Sequence, residues 1–389
     1  MSLSVLAQRA LDLSSNGLER RLRTLTSPVG PVVRTTDGPK LLFCSNDYLG
    51  LAGDPALARL FAEKALELGC GAAGSRLVCG NTASHDALEA ELAAFLGTEA
   101  AVIFPSGYQA NLGAIGALTE TQDVIFSDEL CHASIIDGCR LSRAKVRVFP
   151  HRDLAALERA LAESTEKGLR LVVTDAVFSM DGDVAPVRDI QSLCERYGAV
   201  LYVDEAHSLG IVGPRGAGLC AAQSLPPEAV LRIGTFGKAL GLCGAFLACG
   251  NDAARLVRSR GRSQMYSTAA PPLLIEAVRA ALRISSLADE RRAALHGNIA
   301  KWRELAHQAS LPILASDTPI QPVLIGDEKT TMEVSAQLWQ RGVFVQGIRP
   351  PTVPAGTSRL RITITAAHHA EHIERLVTAL SAVLLLTSR

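Results

Sequence analysis

Short apolar runs alternate with stretches of helical periodicity through the middle of the chain. Residues 101–104, 124–127, 146–149, 171–174, 200–203, 231–234 and 245–248 are apolar runs that read as strands. Between them, Leu88, Leu92 and Phe95 mark one helix face, with Ser84 as N-cap and Gly97 just past the end. Leu154, Leu157 and Leu161 mark a second helix, ending at Gly168. Ile190, Leu193, Cys194 and Tyr197 mark a third, ending at Gly198. Continuous apolar strands separated by helices imply an α/β fold, a mostly parallel seven-stranded sheet with helices on both faces. Such sheets place their sites at the carboxyl ends of the strands.

The pattern changes after about residue 285. Residues 319–325, 343–348 and 360–365 read as strands, with helices near 329–341 and 370–385. The run 359–364 alternates polar and apolar, which predicts one wet face. Residues 1–50 open with an amphipathic helix and continue through turns rich in Gly and Pro. The expected organisation is an N-terminal segment (1–50), a large domain (51–285) and a smaller α+β C-terminal domain (286–389). A length of 389 residues suits this, since a domain typically takes roughly 150.

Composition narrows the function. Lys+Arg and Asp+Glu are 39 each, so the chain lacks the charge footprint of a nucleic-acid or anionic-membrane binder. No apolar run approaches the roughly 18 residues that span a bilayer. The N-terminus has no uninterrupted apolar core of the kind a secretory signal needs. Nine cysteines, an odd number with no C-x-x-C pair, argue against a zinc knuckle or redox dithiol, and no metal is expected. Most sit among Ala, Gly and Leu and read as small buried thiols in a reducing cytoplasm.

Candidate chemistry collects at strand ends. In Val203-Asp204-Glu205-Ala206-His207 a strand delivers an Asp, and a His follows three residues on. Alone, this reads equally well as a capping Asp and a packed His. In Gly234-Thr235-Phe236-Gly237-Lys238-Ala239-Leu240-Gly241 a Lys flanked by small residues follows a strand. Alone it could be a plain surface loop; the functional reading is a Schiff-base Lys approached by a flat cofactor, with the Thr235 hydroxyl turned toward a phosphate. Ser106-Gly107-Tyr108-Gln109-Ala110-Asn111 follows a strand and opens a helix, a start that binds phosphate, yet it is not a P-loop. His132 follows the strand 124–127, and Ser179 lies just past the strand 171–174. Together these residues supply what pyridoxal phosphate requires: an amine, a carboxylate for the ring nitrogen, a helix start with hydroxyls, and an imidazole for the ring.

On these motifs the chain resembles the α-oxoamine synthases, pyridoxal-phosphate enzymes of fold type I. The resemblance spans essentially the whole chain. It includes Ser45-Asn46-Asp47-Tyr48-Leu49-Gly50, Ser134 after His132, Phe178-Ser179-Met180-Asp181-Gly182 and Tyr266-Ser267-Thr268. It continues to Arg349-Pro350-Pro351-Thr352-Val353-Pro354 and Arg359-Leu360-Arg361. The Arg-Pro-Pro-Thr-Val-Pro run is most similar to the biotin-pathway branch.

The resemblance implies that Lys238 carries the cofactor and moves the α-proton, Asp204 pairs with the ring nitrogen, His207 bonds the ring oxygen and His132 stacks on the ring. It implies that Gly107, Tyr108, Ser179 and Thr235 hold the cofactor, chiefly its phosphate, and that Thr268 reaches the phosphate in the partner subunit of a homodimer. Asn46 and Arg361 would grip the amino-acid carboxylate, and Arg21 and Thr352 would contact the substrate. The implied partners are L-alanine and pimeloyl-CoA or pimeloyl-acyl carrier protein. The rivals are a sister synthase joining glycine to another acyl-CoA, and a non-catalytic scaffold subunit. Ala73, in Gly71-Ala72-Ala73-Gly74-Ser75, stands where the family has Gly; a positive φ there would cost stability.

Overall fold

Seven strands form the central sheet of the computed structural model, which describes residues 2–15, 19, 20 and 22–387. Across the sheet they run Ala100–Phe104, Ala245–Cys249, Val230–Thr235, Val200–Asp204, Arg170–Asp175, Val124–Asp128 and Lys145–Phe149. All seven expected strands are present, each extended by one or two residues. Ala245–Cys249 runs antiparallel to both neighbours; the remaining pairings are parallel.

The strands are continuous in apolar residues because both faces are covered. Successive side chains point to opposite sides of a strand. Thus Ile125, Leu171 and Val173 join one core layer with Ala110, Ala114 and Ile115 of the helix Gly107–Leu118. Val124, Phe126 and Val172 join another with Leu157, Leu161, Ile190 and Cys194. Burying each of the larger side chains stabilises by about 1.5–3 kcal/mol, so neither face can be stripped of its helices.

Several local expectations need correction. The helix Ala83–Leu96 begins at Thr82, not Ser84; the Thr82 amide donates to His85 Nδ1 (3.3 Å). The helix Leu154–Ala162 stops well before Gly168, capped at its start by Asp153. The segment 343–348 divides into Val343–Phe344 and Gln346–Ile348, which pair with different sheets. Of the nine cysteines, Cys131, Cys139, Cys194, Cys220 and Cys249 are buried, but Cys70, Cys79 and Cys243 are exposed.

The predicted wet face of 359–364 is also wrong. Ser358–Thr363 is buried along its whole length, Arg359 and Arg361 included. The strand lies between Ile320–Gly326 and Gln346–Ile348, and its polar side meets the loop 178–181 rather than water. A third sheet joins the two ends of the chain: Gly38–Leu42 pairs with Val32–Thr35 and, in parallel, with Val343–Phe344. The amide of Thr363 then donates to Phe43 O (2.7 Å), which sets the segment carrying Asn46 and Tyr48 beside Arg361. Among the described residues no helix is long and apolar enough to cross a membrane.

Candidate active site

Asp204 ends the strand Val200–Asp204, and its own side chain then bends the backbone, with Oδ1 accepting from the Ala206 amide (2.9 Å). The amides of Ser208 and Leu209 fold back onto Glu205 O (3.0 and 2.9 Å), and this reversal carries His207 over the strand ends. Lys238 sits in the turn after Val230–Thr235, where Gly241 N donates to Lys238 O (2.9 Å). Gly241 has φ of 71°, and a Cβ there would meet Ala52 N at 2.3 Å, so a side chain is excluded.

Lys238 Nζ lies 2.9 Å from His207 Nε2, and the Tyr48 hydroxyl lies 2.5 Å from His207 Nδ1. Burial, then the charges of Lys238 and Arg361, hold His207 well below its ordinary value, so it is neutral at pH 7. Burial also lowers Lys238 to about 8, against the opposing pull of Asp204 and Asp175. An amine so adjusted can give and take a proton near neutrality. Asp175 ends the neighbouring strand in register with Asp204, and burial followed by the Asp204 charge raises it well above the usual carboxylate range.

Arg361 reaches the same region from the C-terminal sheet. Its Nε donates to Ser179 O (2.5 Å), and one Nη donates to Asn46 Oδ1 and Thr363 Oγ1 (both 3.1 Å). Asn46 Oδ1 also accepts from the Tyr48 hydroxyl (3.3 Å), so Lys238, His207, Tyr48, Asn46 and Arg361 form one continuous chain of contacts.

Opposite, Ser106 caps the helix Gly107–Leu118 by accepting from Gln109 N (3.2 Å). The Gly107 and Tyr108 amides stand at the helix start, outside its own hydrogen bonds, where an anion is favoured. Thr235 adjoins them: a Cβ on Gly107 would lie 3.9 Å from its hydroxyl. The hydroxyl proton is committed to Gly244 O (2.9 Å), while its oxygen accepts from Gly237 N (3.1 Å). The Tyr108 hydroxyl donates to Asp137.

His132 joins these residues, its amide donating to Asp175 Oδ2 (2.8 Å) and its ring within the fields of Asp204 and Lys238, so one chain brings together Lys238, Asp204, His207, His132, Asn46 and Arg361, with Gly107 and Thr235 as neighbours. Ser179 meets the group through its carbonyl. Thr352 lies at the rim, lining both a cavity of about 370 Å³ with Ser179 and Arg359 and one of about 770 Å³ with Arg349. Thr268 lies apart, bridged to Ser75 and lining a small cavity with Cys243 and Gly244. Arg21 lies outside the described residues.

Sequence reasoning did not pick out Tyr48, Asn111, Tyr202 or Asp175 as site residues. Signals existed for three. Asn111 falls one helical turn after Gly107, Tyr202 shares the Asp204 face of its strand at a spacing of two, and Asp175 ends a strand as Asp204 does.

The donor set fits pyridoxal phosphate: a half-buried amine of lowered basicity, a carboxylate at a strand end, and a glycine-opened helix start beside a hydroxyl. Comparison with known proteins agrees. Residues 38–380 match the family described as aminotransferase class I and II. The chain belongs to that family, pyridoxal-phosphate enzymes of fold type I. It is similar to the 8-amino-7-oxononanoate synthase of Aromatoleum aromaticum (47% identical, 98% of both chains) and to that of Trichlorobacter lovleyi (46%, 98% of both). Among solved structures it is similar to a serine palmitoyltransferase from S. paucimobilis with a bound pyridoxal-phosphate–myriocin adduct (28% identical, TM-score 0.93, 99% of this chain and 98% of that one). It is also similar to the 8-amino-7-oxononanoate synthase of Francisella tularensis (26%, TM-score 0.78, 90% and 99%).

Proposed function

We propose that this enzyme joins L-alanine to a pimeloyl thioester, carried by CoA or an acyl carrier protein. It would give 8-amino-7-oxononanoate, carbon dioxide and free thiol for biotin synthesis, in the cytoplasm and as a homodimer. The observation that carries the reading is the convergence of Arg361 and Asn46 with Lys238 through Tyr48 and His207, a carboxylate grip set beside a base. Relatives 43–47% identical, all named for this synthase, support it.

When bound, pyridoxal phosphate supplies a protonated ring that accepts the electron pair left at the α-carbon. Lys238 would hold the cofactor, and its amine, lowered to about 8, would be the base for the α-proton. Asp204 would stabilise the charge on the ring nitrogen, His207 would serve the ring oxygen and His132 the ring face. Gly107, Tyr108, Ser179 and Thr235 would hold the phosphate side, joined by Thr268 from the other subunit of the homodimer. Arg361 and Asn46 fix the alanine carboxylate and so its orientation. The α-carbon then bonds to the thioester carbonyl carbon, the C–S bond breaks and the thiol leaves. The alanine carboxylate departs as carbon dioxide, and a proton returns to the same carbon. Arg21 and Thr352 contact the substrate at the rim.

The test offers alanine or glycine with several acyl donors and measures thiol release. We expect release with alanine and a pimeloyl donor, and a loss of about 10²-fold or more in Lys238→Ala together with its visible absorbance. Release with glycine and a short acyl donor, but none with alanine and pimeloyl-CoA, would overturn the substrate assignment. Unchanged activity in Lys238→Ala would refute the mechanism.

A further inference from the structure

We infer that Asn111 is a positioning residue that fixes the proton of His132 on Nε2 and the orientation of the Asp204 carboxylate through a single buried amide. Asn111 is 1% exposed, on the helix Gly107–Leu118 behind the site. Its Nδ2 donates to Asp204 Oδ2 (2.7 Å) and to Ser134 Oγ (2.8 Å), and its Oδ1 accepts from the Tyr202 hydroxyl (2.7 Å). A proton count leaves one arrangement. A flipped amide would set its oxygen against the Asp204 carboxylate, two acceptors face to face, while turning its donors to the hydroxyl. Asp204 and Tyr202 therefore lock the NH₂ toward Asp204 and Ser134.

The consequence passes to His132. Ser134 Oγ receives a proton from Asn111, which leaves its own proton free for its other neighbour, His132 Nδ1, at 2.7 Å. The Ser134 backbone amide, which can only donate, also points at Nδ1 (3.3 Å). Two donors on Nδ1 leave it unprotonated, and the single ring proton of the neutral imidazole sits on Nε2. The position of the ring is set separately, by the His132 amide donating to Asp175 Oδ2 (2.8 Å). The charged groups that face it are Asp204, Asp175 and Lys238. Burial, only partly offset by Asp204, lowers His132 below its ordinary value and keeps it neutral. The result is a hydrogen-bond donor, Nε2–H, presented to the reacting groups. The same amide also holds Asp204 Oδ2 while Ala206 N holds Oδ1 (2.9 Å), so the carboxylate cannot rotate.

The test is nitrogen NMR of the full chain carrying ¹⁵N-histidine, with and without pyridoxal phosphate, for the wild type, Asn111→Ala and Ser134→Ala. The wild type should show His132 with bare Nδ1 and protonated Nε2. Both variants should show a shared or reversed proton, and the His132 titration should move upward. In steady state, kcat should fall roughly 10- to 100-fold, as when a partner that orients a reacting group is lost, with KM for the amino acid changed less than about threefold because Arg361 and Asn46 are untouched. If Asn111→Ala does not fold, Ser134→Ala, which removes one oxygen, carries the test. A wild-type ring with its proton on Nδ1 or averaged, or folded variants that keep the wild-type tautomer, would overturn the inference. Only the kinetic arm rests on the proposed reaction. A locked tautomer without thiol release from alanine would sink the substrate reading and leave this one standing.

Discussion

Ala73 has φ of 56°, the left-handed region that favours glycine. Its methyl group makes that conformation costly, so Ala73→Gly should raise stability by about 0.5–1 kcal/mol, read as a higher melting temperature in two-state unfolding. The sign follows from the backbone alone, because the native angle is one that glycine adopts freely. Other residues were legible for a different reason. Asp204, His207 and Lys238 follow apolar strands directly, and strand ends in an open parallel sheet are where sites form. Tyr48 lacked a marker and Asn111 had only its helical spacing from Gly107, because each acquires its meaning from a partner far along the chain. The Tyr48 hydroxyl meets His207 across 159 residues, and Asn111 meets Asp204 across 93.

Strands show where the periodicity rule holds and where it fails. The central strands are apolar on both sides because helices cover both faces, and the sequence states this openly. The strand Ser358–Thr363 alternates, yet no side of it is wet. Its arginines meet buried acceptors instead: Arg359 pairs with Asp181, and Arg361 with Ser179 O and Asn46. Alternation reports a polar face, and only tertiary structure decides whether water or protein lies against it. The same holds for Arg232 in Val230–Thr235, 3% exposed, whose Nε donates to Glu205 Oε2 (2.6 Å). Glu205 Oε1 in turn accepts from Cys220 N (2.9 Å). Removing one partner strands a buried charge, so Glu205→Ala should cost about 3–5 kcal/mol, visible as a lower urea midpoint. Replacing both residues with apolar groups of similar volume should recover much of that loss.

Across the whole molecule, one imidazole ties the two loops that frame the site. His151 Nδ1 lies 3.0 and 3.2 Å from the Asp128 carboxylate, and Nε2 lies 2.7 Å from Asp183. Its ring stands edge-on to Phe178 (4.3 Å between centroids). Asp128 starts the loop that leads to His132, and Asp183 closes the loop that carries Ser179. Glu129 and Arg152 complete the charged surroundings, accepting from the His151 amide and pairing with Asp183. Burial would lower this histidine, but the two carboxylates outweigh it and raise it from 6.5 to about 9. A group raised in the folded state stabilises fully below its unfolded value and loses that contribution as pH rises through the folded one. Stability should therefore be flat in this term below pH 6.5 and fall through about pH 9. The loss should be about 1–2 kcal/mol after allowing for screening, and His151→Gln should flatten the alkaline fall in a melting-temperature profile.

The parallel pairing of Gly38–Leu42 with Val343–Phe344 has a consequence for biosynthesis. Asn46 leaves the ribosome 315 residues ahead of the arginine that completes its contacts, and until then the neighbouring Tyr48 hydroxyl is left to meet its Oδ1. The nascent chain can complete the central sheet, whose last strand ends at Cys249, while still attached, but the Asn46–Arg361 contact closes only when Ser358–Thr363 emerges. A polypeptide cut short before Ser358 would keep every central strand and lose the contact between Asn46 and Arg361.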